Sequence, residues 1–400
     1  MMSAAVASAR GKKVLLIEKN TRLGEKLAIS GGGRCNITNA EYDTRALLAH
    51  YGASADFLHS AFAQFGVQSA FDFFEERGLP LKVEALKRAF PASERAVDVV
   101  RTLVEALRAR NVEVRTSTAI TRIVVNNGNI EKVIAGREEF TATSYILATG
   151  GLSHPETGST GDGFAWLQNL GHAVSKPTPT IVPLATKEAW VRELSGGSVE
   201  GVKITFAREA LPGEKPKKFT KSGKVLFTHF GISGPTVLNS AGKVADLLHE
   251  GTVMANIDLY PLVDIGNLDK QITELFDDNK NKSVRNAMKE LLPPGTAQVF
   301  VTLAGLDPEK KVHSITKEER RALAHFLKAI PLTIEGLMGY DRAVVADGGL
   351  ALAEVDTRTM RSKIVGNLFI TGDLLNISRP SGGYSLQLCW TTGYVAGSNV

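Results

Sequence analysis

The chain has 400 residues, enough for two or three domains, and its 43% hydrophobic and 22% charged residues are those of an ordinary globular protein. The net charge is +5, the two cysteines (Cys35 and Cys389) form no C-x-x-C, and no apolar stretch reaches membrane-spanning length. These features set aside a disulfide framework, a dithiol redox pair, a cysteine metal site and a membrane-embedded protein; with no basic n-region ahead of the small-residue opening, the expected location is cytoplasmic.

The Ala-rich opening reads as a helix that stops at Arg10-Gly11. Val14-Leu15-Leu16-Ile17 is continuously apolar, the pattern of a buried parallel strand, and it ends in Glu18-Lys19. A helix, a glycine stop, a strand and a terminal acid form the second half of a dinucleotide-binding βαβ unit, in which Glu18 would accept hydrogen bonds from ribose hydroxyls. No opening strand or G-x-G-x-x-G stands before the helix, so we expect an N-terminally shortened unit.

The stretch from Gly24 to Asn39 follows. Its glycines Gly31, Gly32 and Gly33 can present bare N–H groups, Lys26 and Arg34 add positive charge, and Ser30, Asn36 and Thr38 add hydrogen-bonding groups. Such a loop after a buried strand suits an extended anionic cofactor; a solvated surface loop is the plainer alternative.

Residues 43 to 77 read as helical, with phenylalanines placed for core packing. Ala96 to Arg110 reads as an amphipathic helix with Val97, Val100, Leu103, Val104 and Leu107 on one face. Short strands follow at 112–115, 119–125, 130–134 and 138–141. Tyr145 to Ala148 is another buried strand, and it opens into Thr149-Gly150-Gly151, where a sheet lets a cofactor approach. Gly158 to Gly163 precedes a helix to Leu170, with an ordinary cap expected at Thr160 or Asp162. Pro177, Pro179 and Pro183 read as a linker.

Beyond it, residues 184–335 read as a separate β unit with appended helices. Its strands are expected at 199–206, 217–220, 224–228 and 252–259, and its helices at 235–249, 269–278, 283–292 and 317–329. His229, between a strand and a glycine turn, is either a general acid or an ordinary surface histidine. The α/β pattern returns at Asn367 to Thr371, a strand followed by Gly372-Asp373. Gly382-Gly383-Tyr384-Ser385 then opens a last helix, whose N-terminus favours negative charge.

A resemblance is carried by Leu23 to Asn39, Phe90 to Ser93, Gly158 to Gly163, Leu226 to Pro235, Ala346 to Gly349, Thr359 to Lys363 and Ser381 to Gln387. On them the chain resembles the BaiN / aminoacetone-oxidase-like family of FAD-binding proteins, of the type with two dinucleotide-binding domains. The resemblance implies an α/β fold: a Rossmann-like, glutathione-reductase-type FAD domain (1–183 and 336–400) interrupted by a β-barrel-like domain with helices (184–335).

It also implies that Lys26, Ser30, Gly32, Arg34, Cys35 and Asn36 line the pyrophosphate and flavin, that Ile120 lies against the adenine, and that Asp373 bonds the ribityl chain. Gly383, Tyr384, Ser385 and Leu386 would sit at the flavin pyrimidine end. The family usually carries an acid and Gly-Pro where this chain has Asn376-Ile377-Ser378-Arg379-Pro380, so Arg379 adds charge near the expected flavin edge.

The function expected is hydride transfer between FAD and a small organic substrate, with NAD(P)H as a transient donor because no second G-x-G-x-x-G is present. The alternatives are a flavin-dependent amine oxidase, a flavoprotein that binds or modifies RNA, and a non-catalytic shortened flavoprotein. Nucleic acid has no support from basic residues interleaved with aromatics.

Overall fold

A computed structural model describes residues 1–208 and 217–400, which fall into two units: Met1–Pro179 with Ala343–Val400, and Thr180–Arg342. In chain order the first unit opens with α1 (Met2–Ala9), β1 (Leu15–Ile17), α2 (Glu25–Ile29) and β2 (Thr38–Asn39). Next come α3 (Thr44–Ala49), α4 (Ala55–Gln64), α5 (Val67–Glu75), β3 (Leu81–Glu84), β4 (Arg88–Pro91) and α6 (Ala96–Arg108). β5 (Glu113–Arg115), β6 (Arg122–Asn126), β7 (Asn129–Ala135), β8 (Glu138–Phe140), β9 (Tyr145–Leu147), α7 (Asp162–Asn169) and β10 (Val174–Ile181) follow.

β1 pairs in parallel with β5, and Glu18 continues the ladder by donating its N–H to the Arg115 carbonyl at 2.8 Å. Burial was expected of this strand; among the described residues β1 pairs with β5 alone, and Leu15 is 37% exposed. The continuous apolar run therefore marks a parallel strand without marking full burial. The helical stretch from 43 to 77 breaks into α3, α4 and α5, and its rings from Phe57 to Phe74 are buried as expected. The face expected for α6 is corrected. Ala96, Val99, Leu103 and Leu107 point inward at i, i+3 and i+4 spacing, while Val97 is 47% exposed. The expected linker at Pro177 and Pro179 is instead strand β10, whose two prolines are tolerated because the sheet it joins has only two strands.

The second unit is built from β11 (Leu184–Thr186), α8 (Trp190–Glu193), β12 (Ser198–Arg208), β13 (Lys218–Thr228), β14 (Gly231–Ser233), α9 (Pro235–Leu238), α10 (Ala241–Glu250) and β15 (Val253–Asp258). It continues with α11 (Ile265–Asp278), α12 (Val284–Met288), α13 (Ala297–Leu303), α14 (Lys317–Lys328) and β16 (Ile330–Leu337). Its strands close a barrel in the order β11-β14-β13-β12-β15-β16. Alternate residues Val202, Ile204 and Phe206 on β12 are buried, the period of two that a barrel wall requires. Two strands were expected where β13 runs unbroken, because Ser222-Gly223 looks like a turn but pairs in register with Lys203 and Val202; the bulge lies on β12, between Val199 and Val202. The helix expected from 235 to 249 breaks at Asn239-Ser240.

The chain then returns to the first unit with β17 (Val345–Leu350), paired to β10, β18 (Leu368–Ile370), parallel to β9, and α15 (Tyr384–Asn399). α15 packs on α1 so closely that a Cβ on Gly397 would stand 2.4 Å from the Ser3 carbonyl oxygen. Leu58, Leu147, Ile370 and Leu388 share one apolar core; Cys35, Ile37, Phe74, Leu103 and Trp390 share a second. Among the described residues no helix is long and apolar enough to cross a membrane.

Candidate functional site

β9 and β18 end side by side, and the residues just past their carboxyl ends meet. A Cβ on Gly151 would touch Asp373 at 3.4 Å, and one on Gly150, at φ +74°, would meet Ser159 Oγ at 2.8 Å. Ala148 is exposed where the strand opens. Thr149 Oγ1 is buried and has no hydrogen-bond partner in the structure, and it fills the space a side chain at Gly163 would need.

From the other side α2 brings Lys26, whose ammonium donates to Ser153 Oγ at 3.1 Å. Burial lowers the Lys26 pKa, while Asp373 pulls it back up; Arg379 adds to the lowering. Asp373 is ion-paired with Arg379, whose side chain is only 1% exposed. That guanidinium also donates to the Ile377 carbonyl at 2.8 Å and to Ser385 Oγ at 3.1 Å. Burial opposes the charge on Arg379, but Asp373 and its neighbours outweigh it and raise the pKa.

Gly31, Gly32 and Gly33 are all left-handed, at φ +57°, +67° and +82°, and a side chain on Gly32 or Gly33 would meet nothing within 4 Å. The loop is thus bent by its glycines and left open on one side. Ser30 Oγ donates to the Leu27 carbonyl, and the buried Cys35 thiol is pushed up to about 12 by burial, so it packs and does not attack. Asn36, with its amide oriented to satisfy its neighbours, donates to the carbonyls of Ala89 and Thr38 and accepts the Gly383 N–H at 2.9 Å. Gly382 and Gly383 are left-handed, at φ +125° and +103°, and a Cβ on Gly383 would lie 2.3 Å from the Thr38 carbonyl carbon. The Tyr384 ring packs tilted against His50, centroids 4.5 Å apart, and Leu386 is half-buried on the same first turn of α15.

Arg34 follows the three glycines and is held by side chains of its own. Its guanidinium pairs with Glu84 and Glu94 and stacks 4.2 Å over the Phe90 ring. Glu18 spends one oxygen on the Asn20 N–H at 2.9 Å, and its carbonyl takes the Thr118 N–H, which places half-buried Ile120 near it. Lys19 holds Asp162 at 2.6 Å. The cap expected on α7 is absent: Gly161 occupies that position, and Asp162 turns to Lys19. His229 is exposed against Phe230 on the β13–β14 turn. Sequence reasoning missed Ser153, which follows the expected glycine pair. It also missed the Tyr51 hydroxyl, which donates to the Tyr384 carbonyl at 2.8 Å and lies in an aromatic-rich helical stretch read as core.

The parts fit an FAD. Lys26 and the N-terminus of α15 suit its anionic groups, Asp373 suits polyol hydroxyls, the glycines leave room for close approach, and Thr149 Oγ1 lacks a partner. Fold and site together define an FAD-binding Rossmann-like oxidoreductase, an α/β domain with a barrel subdomain. More particularly, the chain belongs to the HI0933-like protein Rossmann domain family, which matches residues 1–399.

Among its relatives is the 3-dehydro-bile acid delta(4,6)-reductase of Clostridium scindens, 28% identical over 98% of this chain and 95% of that one. The ribosomal RNA dihydrouridine synthase of Haemophilus influenzae is 27% identical over 100% of this chain and 95% of its own length. In fold the chain resembles the 3-ketosteroid-delta4-(5alpha)-dehydrogenase of Rhodococcus jostii, at TM-score 0.50 and 16% identity, covering 100% of this chain and 94% of that one. It also resembles the quinol fumarate reductase of E. coli, at TM-score 0.52 and 16% identity, covering 99% of this chain and 67% of that one.

Proposed function

We propose that the chain is an FAD-dependent reductase that takes hydride from NAD(P)H and delivers it to a small unsaturated organic substrate. The observation that carries the reading is that Gly151, just past the end of β9, lies against Asp373, just past the end of β18, with the charge of Lys26 acting on Asp373 from the other end of the chain. Bound FAD would supply the hydride chemistry. Lys26 would face the anionic part of the cofactor, and Asp373 would accept hydrogen bonds from its polyol. Glu18 with Ile120 would take the adenosine end. Ser30, Gly31, Gly32, Cys35 and Asn36 would form one wall, Thr149, Gly150, Gly151 and Gly372 the floor, and Gly382 to Leu386 the pyrimidine end. Lys19 would brace the adenosine side through Asp162, and Arg34 would brace the glycine loop from outside through Glu84.

A reductase is favoured over an amine oxidase because the names of the two relatives described above denote reductions, one of a bile acid and one yielding dihydrouridine in ribosomal RNA. NAD(P)H would visit the flavin transiently. The test is anaerobic mixing of FAD-loaded protein with NADH and NADPH. Bleaching of the flavin band supports the reading, and a flavin that is reduced only by amines sinks it.

A second reading, reduction of uridine in ribosomal RNA, is favoured by the second relative and the net charge of +5. Its signature is RNA retention that falls steeply with salt, together with dihydrouridine in the recovered RNA.

A further inference from the structure

We propose that Arg379 is a positioning residue that clamps Asp373 and keeps a permanent positive charge against the first turn of α15, so that bound flavin is biased toward its reduced, anionic form. The inference rests on the flavin reading above.

A guanidinium with a side chain 1% exposed is expensive to bury, and an ion pair in such a place adds little net stability. Among the described residues its hydrogen-bond partners are Asp373, the Ile377 carbonyl and Ser385 Oγ. Two of them are neutral, so Asp373 alone balances it at contact distance. Asp347 stands farther out and is already bonded to Ser378.

Charge of the same sign converges on the spot. Lys26 shares Asp373 with Arg379 and is itself disfavoured by it, while Glu156 balances Lys26 only from an exposed loop. α15 begins at Tyr384 with no side-chain cap and no acidic residue in its first turn, so its positive end is uncompensated. Arg379 reaches that turn directly, through Ser385. Two cations therefore act on one carboxylate, which Arg379 alone of the two contacts, and Arg379 also reaches the uncapped helix N-terminus.

Such a surplus suits a ligand that gains negative charge during the reaction, and a flavin does so at N1 when it is reduced. Arg379 has a second effect, because its ion pair and the short loop from Ile377 fix the Asp373 carboxylate in place before any polyol arrives.

The experiment uses the full chain loaded with FAD, as wild type, Arg379→Gln and Arg379→Lys. Quenching of flavin fluorescence reports uptake, sulfite titration reports how well the site tolerates negative charge at N1, and dye equilibration reports the potential. Wild type should bind sulfite more tightly than free FAD does. Arg379→Gln should take up FAD but bind sulfite about tenfold more weakly, with its potential lower by about 30 mV, the two-electron equivalent of that factor. Arg379→Lys, which keeps a charge, should stay near wild type.

A glutamine protein with wild-type sulfite affinity and potential overturns the inference. If Arg379→Gln takes up no flavin, the wild-type titration decides: sulfite binding no tighter than that of free FAD overturns it, and tighter binding upholds it. Wild-type protein that quenches no flavin fluorescence overturns the cofactor reading, and this inference with it.

Discussion

Thr38 and Gln387 stand 349 positions apart and share a buried hydrogen bond of 2.6 Å, in which the Thr38 hydroxyl donates to the Gln387 carbonyl oxygen. The other end of the Gln387 amide donates to the Gly66 carbonyl at 3.2 Å and to Thr391 Oγ1 at 3.1 Å. One side chain thus ties the strand after the glycine loop, the start of α5 and α15 together. Gln387→Leu keeps the bulk and strands those groups without partners. We expect a loss of about 3 kcal/mol, seen as a lower urea midpoint. A change under about 0.5 kcal/mol would show that the node carries no weight.

Gly383→Ala forces a Cβ onto the Thr38 backbone at a left-handed φ of +103°. Both the contact and the backbone conformation oppose it, at a combined cost of roughly 3 kcal/mol. The first turn of α15 moves in response, so FAD uptake should fall together with the melting temperature. Wild-type flavin affinity in this variant would place the cofactor elsewhere.

Lys26 sets a pH dependence. Burial lowers its folded-state pKa below that of the unfolded chain, so the buried charge costs stability at neutral pH, and that cost is relieved as pH rises through the folded value. Affinity for an anionic cofactor runs the other way: it is full below that pKa and falls as the ammonium loses its proton. FAD affinity in wild type should therefore drop on the alkaline side. In Lys26→Met it should be about tenfold weaker and lack that limb. Identical profiles for the two proteins would remove Lys26 from the site.

His172 has the connectivity of a hydrolytic relay. Its Nε2 accepts from Ser362 Oγ at 3.0 Å, and its Nδ1 faces Glu354 at 2.8 Å. Yet Ser362 is 5% exposed, and its oxygen already accepts the N–H groups of Ile364 and Val365. With its lone pairs taken and no opening above it, Ser362 is a staple. We expect no labelling of Ser362 by a fluorophosphonate, and His172→Phe should lower stability by about 2 kcal/mol. Labelling would contradict the structural role.

Residues whose meaning is local were legible in the sequence. Glu18 at a strand end, the left-handed glycines from Gly31 to Gly33, and Asp373 before Gly382-Gly383 each announce themselves by type and spacing. What depends on a distant partner was not legible. Pro177 and Pro179 read as a linker because nothing near them in sequence shows that β17 will pair with their segment. The ion pairs of Arg34 could not be read in advance, because Glu84 and Glu94 lie far along the chain. The halves of the barrel wall at Lys217 to Thr228 looked separate because a glycine paired inside a strand and a turn glycine look alike without the facing strand.

The unit that carries Lys26 and Asp373 is split in sequence, and its first and last helices lie against each other, with Gly397 on Ser3. The unit from Thr180 to Arg342 is continuous and is synthesised whole before α15 exists. During synthesis the barrel unit is therefore complete first. The glycine loop, although made early, waits until α15 has been synthesised to meet Gly383. A premature stop anywhere in α15 would leave a chain with a finished barrel and half a cofactor site, so loss of the last turns should abolish flavin uptake while the barrel persists as a protease-resistant core.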